Sequence, residues 1–144
     1  MSNIIVSIFT MLSFLLSSTT LNIERSFLQN NPKMLYNLFS SKNYIDISLP
    51  EPISFSDQLS NQQAYFLFKR IFSSYSTFEF YAERPSFPPE KEIFILKARW
   101  SFRDKKNKNQ FLFHIFFYLK EEKVKKNRKT QISWRITEIK AGKI

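Results

Sequence analysis

The chain contains a single glycine, Gly142, in 144 residues. A loop that cradles a phosphate needs several residues without a Cβ, so that the backbone can approach the ligand. The sequence therefore cannot form a P-loop or a dinucleotide-binding fingerprint. It also has no cysteine and one histidine, which excludes a thiol nucleophile, a disulfide frame and a zinc finger. We expect neither a metal ion nor a cofactor.

The composition predicts one folded domain. Apolar residues make up 43% of the chain and 17 residues are phenylalanine, whereas charged residues make up 24%. Disordered chains have the opposite balance, because they cannot bury enough apolar surface to offset the entropy of ordering. A chain of this length is sufficient for one hydrophobic core.

The N-terminal segment has the form of a secretory signal peptide. Residues 1–22 carry no charged side chain, and Ile4 to Leu16 is an apolar run too short to span a membrane, which requires about 20 residues. Small polar residues, Ser17 to Thr20, follow it, as near a cleavage site. We predict a signal peptide in residues 1–20, one domain in residues 21–144, and a location in the bacterial periplasm or outside the cell. The alternative is that the run is a buried first helix or strand.

Apolar periodicity in the remaining chain predicts an α+β fold. Two short helices within residues 22–39 are separated at Pro32, and a helix begins at Ser60, whose capping box includes Gln63. Residues 84–90 contain three prolines and predict a surface connection. The predicted strands cover residues 44–49, 77–83, 93–103, 111–119 and 132–140.

Four segments carry a resemblance to a known superfamily: QNNPKMLYNLFS, YIDISLP, SNQQAYFLFKRIF and the closing WRITEIK. Together they resemble the nuclear transport factor two-like, or cystatin-like, α+β superfamily, and more narrowly its small exported bacterial domains. The resemblance implies N-terminal helices packed on a curved antiparallel sheet, forming a cone with a pocket. The superfamily includes isomerases, dehydratases, dimerisation modules and export-associated binding domains, so the fold does not select one function.

Few residues could perform chemistry in such a pocket. The polar side chains that could line it are Tyr44, Asp46, Tyr81, His114 and Tyr118. Asp46 and His114 are the candidates for acid–base catalysis, but Asp46 lies on the polar face of its strand and His114 has no paired carboxylate at a suitable spacing. We therefore expect a noncatalytic binding or assembly domain of a bacterial envelope, whose partner is a small apolar ligand or an envelope protein. The alternative is a small-molecule isomerase or dehydratase that uses the cone pocket.

The positive charge lies in the last third of the chain. Residues 97–144 contain 15 basic and 4 acidic side chains, against 7 and 8 in residues 1–96. The predicted basic surface comprises Arg103, Lys105, Lys106, Lys108, Lys123, Lys125, Lys126, Arg128 and Lys129. These residues fall in two predicted hairpin loops, residues 103–108 and 120–129, at opposite ends of one strand and roughly 30 Å apart. Such a distribution favours a solvated surface, or a weak contact with an anionic envelope surface.

Two further expectations concern partners. The basic residues of the strand 93–103 have no aromatic residue on their own face of that strand, so we expect no nucleic acid to bind there. The strand 111–119 is apolar on both faces, which predicts a homodimer through the exposed face of the sheet, or a cover from another segment.

Overall fold

The computed structural model describes residues 2–83 and 93–144, and the side chains of residues 15–83, 93–125 and 127–144. The predicted connection at residues 84–90 lies outside the described residues. In chain order the elements are α1 (Ser2–Leu28), α2 (Pro32–Tyr36), β1 (Ile45–Leu49), β2 (Phe55–Leu59), α3 (Asn61–Ser74), β3 (Tyr75–Ala82), β4 (Ile93–Asp104), β5 (Gln110–Lys126) and β6 (Lys129–Lys143).

The strands form one curved, unclosed six-stranded sheet in the order β2-β1-β6-β5-β4-β3. All neighbours run antiparallel except β1 and β6, which are parallel, so the sheet is mixed rather than wholly antiparallel as the resemblance implied. The helices cover one face of this sheet. The predicted α+β architecture is confirmed.

Residues close together in the sequence determine where α2 and α3 begin. The Ser60 side chain accepts from the Gln63 backbone N–H at 3.2 Å, and the Gln63 side chain accepts from the Ser60 N–H at 2.9 Å, as the capping box predicts. The Asn31 side chain accepts from the backbone N–H of Met34 at 3.1 Å, and Pro32 occupies the first turn of α2. Both predicted helix starts are confirmed.

Aromatic rings fill the space between helices and sheet. Phe27 of α1 is fully buried, and its ring centroid lies 4.6–5.9 Å from the neighbouring ring centroids. Those rings belong to Phe68, Phe72, Phe80, Trp100 and Phe117. The Trp100 indole N–H donates to Thr77 Oγ1 at 2.9 Å, so this buried polar group is satisfied.

Helix α1 is continuous through the predicted cleavage region. Leu16, Ile23 and Phe27 are buried, and the Thr20 hydroxyl donates to the Leu16 carbonyl at 3.0 Å. The end of the predicted signal peptide therefore contributes Leu16 to the core. Among the described residues, no helix has both the length and the apolar character needed to cross a membrane.

Two strand predictions differ from the structure. Strand β2 was not predicted, because its sequence FSDQL lacks apolar alternation and it is half-buried or exposed throughout. Strand β5 does not end at residue 119, since residues 120–126 continue it and only Asn127 and Arg128 form the turn to β6. The predicted loop over residues 120–129 is therefore wrong. This segment is one strand of a two-stranded ribbon. Its lysines Lys120, Lys123 and Lys125 are exposed, whereas Glu122 is buried.

Candidate functional site

The face of the sheet opposite the helices, which we call the outer sheet face, is the main candidate site. Its side chains form rows that run across the strands, because paired residues on neighbouring strands point to the same side. One row comprises Tyr81, Arg99, His114 and Gly142; the next comprises Lys97, Phe116 and Lys140; the third comprises Ile95, Tyr118, Glu138 and Asp46.

Aromatic and cationic side chains alternate in these rows. Phe116 lies between Lys97 and Lys140, and Arg99 lies between Tyr81 and His114. The β4 cations have no aromatic residue on their own face of β4, but β3 and β5 place aromatic residues beside them. Cross-strand register decides this arrangement, and the sequence of one strand does not reveal it.

Two cations contact rings of the outer sheet face directly. The Arg103 guanidinium carbon lies 5.4 Å from the Phe78 ring centroid, and Lys140 Nζ lies 5.9 Å from that of Tyr118. Both distances are within the range of a cation–π interaction. Phe78 is nevertheless 48% exposed, so its ring remains available to a partner.

Two acidic residues of the outer sheet face lie on β1 and β6. Asp46 of β1 is paired with Glu138 of β6, and Lys140 Nζ lies 4.0 Å from a Glu138 carboxylate oxygen. Tyr44, Asp46 and Tyr118 line a surface depression of about 340 Å³ together with Glu138. On the outer sheet face β4 therefore carries the cations Lys97 and Arg99, whereas β1 and β6 carry Asp46 and Glu138 with Lys140 beside them.

The predicted pocket residues all lie away from the cone interior. Tyr44 and Tyr81 are 67% and 63% exposed, and Asp46 is exposed on the outer side of β1. His114 and Tyr118 are half-buried on the outer sheet face. The structure brings Tyr44, Asp46 and Tyr118 together, whereas Tyr81 and His114 lie in another row with Arg99.

The outer sheet face offers little for catalysis. His114 Nδ1 is buried without a hydrogen-bond partner in the described part of the chain, and its cross-strand neighbour is the cationic Arg99. A general base needs a hydrogen-bond acceptor that orients it, and the described residues supply none to His114 Nδ1. Among the described residues, no group of three or more His, Asp or Glu side chains could hold a metal ion.

Glu122 is a buried carboxylate that the sequence analysis missed. Its Oε2 accepts from Ser40 Oγ at 2.6 Å, and its Oε1 accepts from the Ser41 N–H at 3.0 Å and from Ser41 Oγ at 2.9 Å. Burial would raise the pKa of Glu122, but these hydrogen bonds and the nearby Arg135 charge lower it below its ordinary value. The residue stood in a run of charges, where nothing in the sequence signals burial.

The basic residues divide between two turns at opposite ends of β5. In the turn after β4, Lys105 Nζ donates to the Phe72 carbonyl at 2.9 Å, and Asp104 accepts from the Lys106 and Asn107 backbones. Lys105 therefore has a structural partner. The other turn, at Asn127 and Arg128, lies at the tip of the ribbon.

The comparisons show what this chain resembles. No protein-family model matches the sequence, and no curated protein matches it either. A ketosteroid isomerase-like protein from Erwinia carotovora atroseptica has a TM-score of 0.63 and 10% identity, over 90% of this chain and 94% of that one. A DUF4783 family protein from Bacteroides ovatus has a TM-score of 0.59 and 15% identity, over 85% and 93%. An NTF2-like protein of unknown function in nutrient uptake from Rhodospirillum rubrum has a TM-score of 0.58 and 7% identity, over 88% and 95%.

These similarities define the class of fold. The chain has the nuclear transport factor two-like α+β cone fold, as the sequence resemblance predicted. At 7–15% identity the likeness extends to the fold and not to an activity.

Proposed function

We propose that this protein is a noncatalytic assembly module, exported to a bacterial envelope, that self-associates through its outer sheet face. The observation that carries the proposal is the arrangement of that face. Rings and aliphatic side chains lie in its centre, the cations Lys97 and Arg99 lie on β4, and the carboxylates Asp46 and Glu138 lie on β1 and β6.

Exposed apolar groups supply the driving force for association. Ile93 and Ile95 are 53% and 49% exposed, and Phe116 and Tyr118 beside them are half-buried. Burying apolar area contributes roughly 25 cal/mol per Å². A contiguous exposed apolar region is characteristic of an interaction surface.

The charges of the outer sheet face favour a second copy of this chain as its binding partner. In a twofold interface each residue pair occurs twice, once in each direction. Arg99 and Glu138 lie on opposite sides of Phe116, two rows apart. A twofold axis that passes over Phe116 and is perpendicular to the line from Arg99 to Glu138 would place Arg99 of one copy opposite Glu138 of the other. An envelope protein with a similar acidic and apolar surface is the alternative occupant.

An isomerase-like or dehydratase-like activity has less support. Rings fill the volume between helices and sheet, and Asp46 and His114 lie on the other side of the sheet. A substrate in that volume would have to displace packed side chains, which is costly in a close-packed core.

Sedimentation equilibrium over a concentration series tests the assembly proposal. We expect the wild-type chain to be dimeric and Phe116→Asp to be monomeric, because the substitution buries a charge at the centre of the interface. Phe66→Asp is the control, since Phe66 is 60% exposed on α3. Arg99→Glu should weaken the dimer and Arg99→Glu with Glu138→Arg should restore it. A wild-type chain that stays monomeric throughout the series overturns the proposal.

A further inference from the structure

Strands β5 and β6 continue beyond the end of β4 as a two-stranded ribbon, residues 121–134. The last β4–β5 pair is Ile93 with Lys120. Past that point β5 and β6 pair with each other from Glu121 and Trp134 to Lys126 and Lys129. In the described ranges no further strand joins the ribbon. Glu122 and Trp134 at its base are buried, and beyond them the ribbon projects from the sheet with mostly exposed side chains.

The ribbon ends in a tight turn. Asn127 and Arg128 have φ angles of 53° and 65°. Positive φ at both central residues is what a type I′ hairpin turn requires, and this turn matches the twist of the flanking strands. The backbone pairing thus holds the side chains of the ribbon tip in a defined array rather than in a flexible loop.

That array is strongly cationic. Residues 123–129 contain five basic side chains and no acidic one. Lys123, Lys125, Arg128 and Lys129 are exposed, and no carboxylate in residues 15–83 or 93–144 forms an ion pair with them. Glu122, the buried carboxylate at the base of the ribbon, accepts its hydrogen bonds from Ser40 and Ser41. Among the described residues, Lys123, Lys125, Arg128 and Lys129 therefore have no acidic partner.

We propose that the ribbon tip docks on the surface of an anionic phospholipid bilayer. Each basic residue near such a surface is attracted by its negative potential. Four of the five cations are lysine. Lysine carries a compact charge on a flexible stem, which suits a fluid layer of headgroups, whereas arginine suits fixed bidentate partners.

Aliphatic side chains of the ribbon favour a bilayer over a nucleic acid. Ile132, paired with Lys123, is 43% exposed, and Val124 on the other face of the ribbon is half-buried. Such groups gain free energy at the headgroup–acyl boundary. The exposed side chains of the ribbon include no aromatic ring on which a base could stack, since Trp134 is 1% exposed. This contact uses a surface separate from the outer sheet face and does not depend on the dimer.

Vesicle co-sedimentation of the full chain tests the inference. The probes are phosphatidylcholine vesicles with and without phosphatidylglycerol, at low and near-physiological salt. One variant changes Lys123, Lys125, Arg128 and Lys129 to Gln. The matched control changes Lys33, Lys69, Lys106 and Lys108 to Gln, which alters the net charge equally at exposed sites elsewhere. Wild type and both variants contain the apolar run Ile4 to Leu16. Binding to the neutral vesicles measures how much this run contributes to vesicle binding.

We expect the ribbon variant to bind the anionic vesicles at least tenfold more weakly than wild type, since each basic residue is worth roughly a fivefold change. The control should bind nearly as wild type does, and added salt should weaken wild-type binding. If both variants lost anionic-vesicle binding equally, net charge alone would explain the binding, and the inference would be overturned. Tighter binding to a DNA duplex at the same phosphate concentration would also overturn it, in favour of a nucleic acid.

Discussion

Ser40 Oγ donates a 2.6 Å hydrogen bond to Glu122 Oε2, although the two residues are 82 positions apart in the chain. The same hydroxyl oxygen accepts from the backbone N–H groups of Lys42 and Asn43. One carboxylate thereby organises the turn that leads into β1 and attaches it to the base of the ribbon. The pair links the first half of the chain to the last hairpin.

Glu122→Gln should destabilise the fold. The amide nitrogen of glutamine cannot accept from a serine hydroxyl or an N–H group, so part of this network is lost. Hydrogen bonds to a charged group contribute about 1.5–3 kcal/mol, and we expect a loss of that order in the free energy of unfolding. Urea denaturation measures it. Glu121→Gln, which removes the same charge next to it, should change stability much less.

Stability should fall in acid because of the same residue. Since the pKa of Glu122 is lowered by folding, its contribution is fully present above the unfolded value, about 4.3, and is lost as pH falls through the folded value. The free energy of unfolding, measured from pH 7 to pH 3, should drop more steeply in wild type than in Glu122→Gln. Parallel curves for the two proteins would contradict this assignment.

Phe27→Ala should be among the most damaging substitutions in the described core. Phe27 is fully buried among aromatic rings, and its removal leaves a cavity that those rings cannot easily fill. Such changes cost about 3–5 kcal/mol. Phe66→Ala removes the same ring at a 60% exposed position and should cost little, as denaturant midpoints would show.

Arg128→Gly should stabilise the ribbon turn. A non-glycine residue at positive φ costs roughly 1–2 kcal/mol, and glycine loses about 0.5–1 kcal/mol of this gain through its unfolded-state entropy. We expect thermal unfolding to show a small increase in stability. Lys125→Gly, within β5, should lower it, because glycine weakens a strand interior.

Export should leave a chain that begins near residue 21. Expression of the full chain in a bacterium, followed by N-terminal sequencing of the periplasmic fraction, checks this. Ile8→Arg should block export by interrupting the apolar run. Cleavage at that point also removes Leu16 from the core, so the processed chain should be less stable than the full chain by about 1.5–3 kcal/mol. An intact chain starting at Met1 in the exported fraction would contradict the prediction.

Local signals account for what could be predicted of the fold. The capping box at Ser60, the N-cap at Asn31 and the alternation along β4 act over a few residues, and each appears in the structure. Strand β2 gave no such signal, because an edge strand paired on one side needs no buried face. Residues 120–129 also lack a strand signal, because their sequence has no apolar alternation and most of their described side chains face solvent.

The arrangement of side chains on the outer sheet face depends on the cross-strand register. The sequence of a single strand does not show this register. Lys97, Phe116 and Lys140 are adjacent because β4, β5 and β6 pair with a particular offset. The helices cover the other face of the sheet from the five predicted pocket residues, and this determines their surroundings. Asp46 and His114 thus lie outside the aromatic interior.

The parallel pairing of β1 with β6 has a consequence for the order of synthesis. Asp46 finds its backbone partner at Glu138, near the end of the chain. While a ribosome is still making the protein, β1 and β2 can pair only with each other, and a two-stranded unit alone is marginally stable. The six-stranded sheet therefore cannot be completed until almost every residue of the chain has been added.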